Sequence, residues 1–402
     1  MKTALRSSLF LLLATTAFTI PAQAEEVPPV VSAILKSWET QLKTAPAYEK
    51  IETDGSGNIV ISNLVANIGT ESPGQKAKLS IGTITIENVA AEADGIIEVG
   101  AATFADSKFE YTGPDNMTVV FDMPKGEVEN WYVTVLGDNP TPKQAFRSTM
   151  GIAKKMSTGE VKVLVQGQTI AARGIEAAWN GDPVTGAGKT TMSLNDLVIP
   201  ESALAIMDPS GQLKALGYND VTLNVTGDGE LAITESSFGM SGTVGFSGKD
   251  MAGFTFSYGA SDIPMAVMTE LQAAQKAGRP ADFNMLMPQL MNVSLSGFQF
   301  RFEDASITKK VLPIIAKMQG MDEAAMVANA GAMMQIGLMQ LKNQAFTDQV
   351  VGAVNSFLKD PKSFTVSLKP AVPVKVQQLM ALDPANPGAA IDVLGVSVRA
   401  ND

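Results

Sequence analysis

The sequence predicts an α+β protein: an extended, curved, mostly antiparallel β-sheet with a methionine-rich helical segment packed on it. Three observations carry this expectation. Apolar residues recur at every second position in many short runs separated by turn signals. Between most of those runs no helical pattern intervenes, which favours antiparallel meanders over a parallel sheet. Eleven of the 21 methionines lie between Met265 and Met339, where the spacing turns helical.

Taken in order, Pro28 and Pro29 precede Val31, Leu35, Trp38 and Leu42, whose three- and four-residue intervals predict a helix over 28–44. Asp54 to Asn58 is a turn that feeds Ile59 and Ile61. Leu79 and Ile81, then Ile84 and Ile86, form the next ladder. Met117, Val119, Phe121 and Met123 alternate, as do Val161, Val163 and Val165. So do Val221, Leu223 and Val225, and then Phe254, Phe256 and Tyr258. Asp228-Gly229 has the composition of a tight hairpin turn. The run Ile59 to Ala66 is echoed by Ile84 to Ala91, and weakly by Met192 to Val198, as if one strand type were reused.

Helices are expected over 142–157 and, with a strand embedded, over about 263–360. That strand carries Leu295 on one phase and Phe298, Phe300 and Phe302 on the other. The switch at Gly297 suggests a β-bulge. Met326, Ala330, Met333, Gly337, Leu341 and Ala345 fall on one helix face. The eighteen residues from Ala324 to Leu341 carry no charge and read as a core helix rather than a membrane span, because Asn329, Gln335 and Gln340 interrupt them. Phe364, Val366 and Leu368 begin a closing set of strands. A short helix over 373–382 and a last strand over 391–399 complete it.

Residues 1–24 have the three parts of a secretory signal peptide: Lys2 and Arg6, an apolar stretch from Leu9 to Ile20, and the small-x-small site Ala22-Gln23-Ala24. The expectation is a periplasmic protein whose residues 25–402 form one elongated β-rich domain, with no transmembrane span after cleavage. Removal of the signal lowers Lys plus Arg from 30 to 28 and leaves all 41 acidic residues, for a net charge of −13. An acidic chain without a basic patch has no footprint for nucleic acid. It is also repelled by anionic headgroups, so contact with a membrane would require apolar insertion. Zero cysteine means that packing alone holds the fold.

Zero histidine removes the usual general base, the Ser-His-Asp and Cys-His arrangements and the ordinary zinc ligands. The remaining motifs are decoys. Ser306-Ile-Thr-Lys309 matches S-x-x-K but has no S-D-N or K-T-G partner, and Ser306 suits a helix N-cap. Gly186 to Thr191 mimics the end of a phosphate loop with Pro183 where a glycine is needed, and reads as a hairpin turn. Asp54 to Asn58 lacks the glycine and glutamate of a calcium loop. Glu127 and Glu129 share a strand face and read as a solvated edge. No catalytic residue, cofactor or metal site is expected, and the chain reads as non-catalytic.

The tail, from Phe357-Leu-Lys-Asp-Pro-Lys-Ser-Phe364-Thr-Val-Ser-Leu-Lys-Pro370 through Pro373-Val374 to Gly395-Val-Ser-Val-Arg-Ala-Asn401, resembles the ending of an uncharacterised secreted alphaproteobacterial family. Ile81-Gly-Thr-Ile-Thr-Ile-Glu-Asn-Val89 is similar to strands of the AsmA-like envelope proteins. That likeness implies a β-sheet groove that handles lipid, and no catalytic residues. Two functions follow as expectations. One is a periplasmic protein that shelters lipid or another apolar ligand in a sheet groove, with Phe300, Met326, Met333 and Met334 as ligand-binding candidates. The other is an adaptor that binds an envelope protein and no small molecule.

Overall fold

A computed structural model describes residues 27–42, 44–68, 75–113, 117–137, 140–148, 150–277 and 279–402. The proposed signal peptide lies outside them. The described chain opens with α1 (Pro29–Leu42), β1 (Lys50–Thr53), β2 (Ile59–Ile68), β3 (Lys76–Val89), β4 (Ile96–Thr112) and β5 (Thr118–Thr134). Next come α2 (Pro142–Ser148), β6 (Ala153–Thr158), β7 (Val161–Val165), β8 (Gln168–Ala172), β9 (Gly174–Gly181) and β10 (Gly188–Ile199). α3 (Glu201–Met207) and α4 (Gln212–Ala215) precede β11 (Val221–Ile233), β12 (Ser237–Gly248) and β13 (Ala252–Pro264). Then α5 (Met265–Lys276) and α6 (Phe283–Leu290) lead to β14 (Ser294–Asp304). α7 (Ile307–Met318), α8 (Glu323–Leu338) with a 3-10 turn Met339–Leu341, and α9 (Gln344–Lys359) follow. The last elements are β15 (Ser363–Leu368), β16 (Val374–Lys375), α10 (Val376–Met380), α11 (Gly388–Leu394) and β17 (Val396–Ala400).

Every strand pairing is antiparallel, and the sheet grows as one meander. β1 through β5 pair in sequence, and β5 then bonds to both β6 and β7. β6 continues to β9 and β7 to β8, both of which reach β10. From β10 the order is β11, β12, β13, β14, β15 and β17. Side chains of paired residues share a face, so the register can be followed from one end of the sheet to the other. One row runs Ile59, Ile86, Ala102, Val128, Met156, Ala177, Met192, Gly227, Val244, Phe256, Phe300, Val366, Val398, and contains nothing polar. A neighbouring row on the other face runs Thr85, Thr103, Glu127, Ser157, Glu176, Ser193, Thr226, Gly245, Thr255, Arg301, Thr365, Arg399, and contains nothing apolar except Gly245. The two-residue period of a strand sorts these rows into an apolar face and a mainly polar one.

Helices stand on the apolar face. α1 seals the β2–β5 end, where Val31, Ile34, Ile61, Ile84 and Ile86 are buried together. At one end of the long strands, Ala203, Leu204 and Leu213 of α3 and α4 pack on Ile199, Val221 and Leu223. At the other end, Phe146 of α2 and Met265 of α5 pack on Phe238, Ile233 and Ile263. α9, backed by α8, covers Phe364, Val366 and Val398 of β15 and β17.

The bulge predicted at Gly297 is present. Gly259 pairs with Gly297 and Ala260 with Leu295, which leaves Ser296 as the extra residue. A family of similar kinks runs through the sheet. Asn63, Asn88, Asp106, Asn130, Asp196 and Asp262 all sit inside strands with φ between 48° and 58°. Asn and Asp tolerate this left-handed region better than other residues with a Cβ. Gly82 lies opposite both Asn63 and Asp106, and Gly100 opposite both Asn88 and Asn130. A Cβ on Gly100 would stand 2.8 Å from the Asn88 Cβ, so the neighbouring strand needs glycine there.

Four expectations are corrected. The helix over 142–157 stops at Ser148, and residues 153–158 form β6, because β5 and β9 offer paired edges on both sides. Asp228-Gly229 is not a turn: β11 runs straight through it, and the chain reverses at Thr234–Ser237. The glycine pair there serves close strand approach, since a Cβ on Gly242 would lie 2.5 Å from the Asp228 carbonyl oxygen. Residues 391–394 belong to α11, which Gly395 ends with φ 59°, and only then does β17 begin. The stretch 324–341 is no core helix: of α8 and its 3-10 turn, only Met326 and Gly331 are buried. Met326 is buried, but Met333 is 74% exposed, and Lys342 with φ 53° breaks the helix before Ala345.

Candidate functional site

Between the helical walls none of the described helices covers the apolar face. Met192 of β10, Phe246 of β12, Phe254, Phe256 and Tyr258 of β13, and Phe298 of β14 are each 37–46% exposed. These residues occupy apolar-face rows of the register, so their exposure is not that of an ordinary polar surface. Contiguous apolar surface left open in this way makes the strip the candidate binding surface of the fold. The α3–α4 wall and the α2–α5 wall stand at opposite ends of the same strands. The uncovered strip is therefore a trough running across the strands.

The floor of the trough is shaped by side-chain size. Gly227 of β11 lies between Met192 and Val244 in one row, and Gly229 of β11 and Gly242 of β12 lie between Thr190 and Tyr258 in the next row on that face. Beyond them aromatic rings take over. Phe256 and Phe300 have centroids 5.1 Å apart, and Phe254 and Phe302 5.2 Å apart. Phe357 of α9 stands edge-on to Phe302 and Phe364 and closes that end.

At the opposite end the floor leads into a hollow of about 410 Å³ beneath α1. Trp38, Phe104, Met123, Trp131, Met156 and Ile175 line it. Met156 and Ala177 of its lining are the register partners that lead to Met192. A smaller apolar hollow of about 220 Å³ lies near Met240, Tyr258, Leu295, Phe298 and Leu368. Both have the mainly apolar lining of sites that take greasy ligands.

Glu127 is the charged residue in the lining of the larger hollow, and Arg147, 3% exposed, stands behind it. The Arg147 Nη1 donates to Thr134 Oγ1, which borders the hollow, and its Nε donates to the Pro183 carbonyl oxygen at 2.7 Å. Nη2 has no hydrogen-bond partner among the described residues. Burial pushes the guanidinium down to about 10, against the opposing pull of Asp182. It stays a cation at neutral pH.

Of the four sequence-derived candidates, only Phe300 reaches the trough floor, half-buried between Phe254 and Phe256. Met326 is buried in the helices, and Met334 packs at the α8–α9 contact. Met333 faces solvent. Sequence reading missed Met192, Phe246, Trp38, Trp131 and Met156. Their alternation was visible, but which strands a helix would cover was not.

The decoy motifs resolve as structure. Ser306 opens α7 without a side-chain cap, and its Oγ hydrogen-bonds the Asp250 carbonyl oxygen and the Tyr218 hydroxyl. Asp182 to Ala187 is the β9–β10 hairpin turn, with the Asp182 carboxylate accepting from Val184 N and Thr185 Oγ1. Glu127 and Glu129 lie on the polar face and pair with Lys125 and Lys155. Among the described residues no cluster of three or more carboxylates is placed to hold a metal ion.

A family model described only as an uncharacterized protein matches residues 245–401, the stretch from β12 to β17 that includes the aromatic end of the trough. No curated protein matches the chain.

Proposed function

We propose that the protein is a non-catalytic component of the cell envelope that shelters a lipid or another apolar ligand in the sheet trough. The observation that carries this reading is the apolar register row, buried at both ends and open in the middle. An apolar face with no purpose would be covered or made polar, since exposing it invites aggregation. An acyl chain laid across the strands would cover Met192, Phe246, Phe254 and Phe256 and run into the hollow beneath α1. Glycines in the floor leave it room, and methionines adapt to its shape. The likeness of residues 81–89 to AsmA-like strands agrees with this reading.

The competing reading is an adaptor whose trough receives a segment of another envelope protein. Native mass spectrometry of the chain purified from its own compartment separates the two. Co-purifying lipid, displaced by a dansyl-labelled fatty acid, supports the ligand carrier. A bare mass, with no fatty-acid binding and a crosslinked protein on β12–β13, supports the adaptor.

A further inference from the structure

We propose that the helical hairpin α7–α8 docks on an anionic lipid surface by laying its apolar side chains into the headgroup layer. A helix that is apolar all round is normally buried. α8 with its 3-10 turn, Glu323–Leu341, is apolar enough for burial in lipid, yet Met326 and Gly331 are its only buried residues. Met326, Met334 and Leu338 account for its packing, and Gly331 lets the Asn355 side chain of α9 come close. Met333, Ile336 and Met339 remain outside, at three-residue spacing. On α7, Ile314, Ile315 and Met318 are exposed as well.

The charge around these side chains points to lipid. Residues 304–342 carry four lysines, Lys309, Lys310, Lys317 and Lys342, against Asp304, Asp322 and Glu323, with Asp360 near Lys309, in a chain whose net charge is −11. Asp322 is turned onto its own helix, where its Oδ1 accepts from Ala325 N at 2.7 Å. Lys309 and Lys317 are exposed, while Lys310 lies over the Tyr218 ring and Lys342 bonds the Ala385 carbonyl oxygen. A locally basic, apolar helix pair is the composition that binds acidic bilayers. The segment has no Trp, Tyr, Phe or Arg, the residues that anchor most protein–protein contacts.

The position is also telling. α7 leaves directly from β14, and α9, on which α8 rests, closes the aromatic end of the trough. A bilayer held there would lie next to the trough's end. Exchange of ligand at that point rests on the function proposed above, whereas docking does not.

The cysteine-free chain allows a direct test. Met333→Cys, labelled with an environment-sensitive fluorophore, should shift its emission to the blue with equimolar phosphatidylglycerol–phosphatidylcholine vesicles. The unlabelled protein should float with them, less so with pure phosphatidylcholine or at high salt. The triple variant M333D/I336D/M339D should float about tenfold less, with unchanged circular dichroism and unchanged dansyl fatty-acid binding. Equal flotation of the triple variant, no flotation of the parent, or a dimer that the triple variant dissolves without any vesicle binding would each overturn the proposal. Flotation retained with fatty-acid binding absent would instead sink the trough reading and leave docking intact.

Discussion

The β2–β5 end and the β10–β14 centre of the sheet share one design and meet different fates. Both present an apolar row in register, but α1 covers the first and, among the described residues, no helix covers the second. Ile61 and Ile86 are fully buried, whereas Met192 and Phe246 in equivalent rows are 46% and 45% exposed. The difference lies in a single helix, whose Val30, Val31 and Ile34 are spaced to meet the sheet. An apolar strand face is therefore no evidence of a core by itself. Whether it becomes core or binding surface depends on what the chain provides to lie on it.

The comparison breaks most sharply under truncation. Ile86→Ala at the sealed end should cost about 3 kcal/mol, because a filled site becomes a cavity. Phe256→Ala in the open centre should cost less, about 1–2 kcal/mol, since its ring is already partly wet. Urea denaturation of both variants measures the gap. Equal losses would mean that the centre is as buried as the end.

Gly227→Leu should fill the trough without disturbing the sheet, as the nearest atom to an added Cβ is the mobile Met192 Cε at 3.6 Å. Fatty-acid affinity is expected to fall about tenfold, or about 1.4 kcal/mol, with stability nearly unchanged. Titration of the labelled fatty acid against parent and variant reads this.

Asn88→Ala should cost about 1–2 kcal/mol through left-handed strain alone. Asn88→Gly should restore most of it. Thermal unfolding of the pair separates backbone strain from lost contacts at the sealed end.

The smallest effect is expected at Asp402. Its carboxyl is desolvated, yet hydrogen bonds from Arg301, Ser363 and Thr365 outweigh that and hold it below the usual carboxylate range. A depressed carboxylate stabilises the fold above its unfolded pKa, and that contribution is lost as pH falls through the folded value. The β14–β15 region should thus loosen in acid below about pH 4. In Asp402→Asn that pH dependence should flatten, as amide exchange followed against pH would register.

Much of the sheet was legible because a two-residue period is a strong signal and most ladders held. The repeat between Ile59–Ala66 and Ile84–Ala91 also has a physical meaning. It places Asn63 and Asn88 at the same point, and Asp196 and Asp262 occupy the fifth position of like runs from Met192 and Tyr258. Each marks a kink where two residues, rather than one, separate inward side chains. The methionine helix was misread because periodicity reveals an apolar face but not its partner. The trough was legible only in part, as Phe300, for the same reason: cover is a tertiary property.

The meander has one more consequence. Strands β11 to β14 are antiparallel neighbours in chain order, each adding about 4.8 Å of width. Deleting the β12–β13 pair would set Val225 beside Phe302 and Gly227 beside Phe300 with both faces still in phase, because the rows already link these residues. The floor would simply be about 10 Å shorter. The protein is thus built like an extensible ruler, in which the number of hairpins sets the length of the floor.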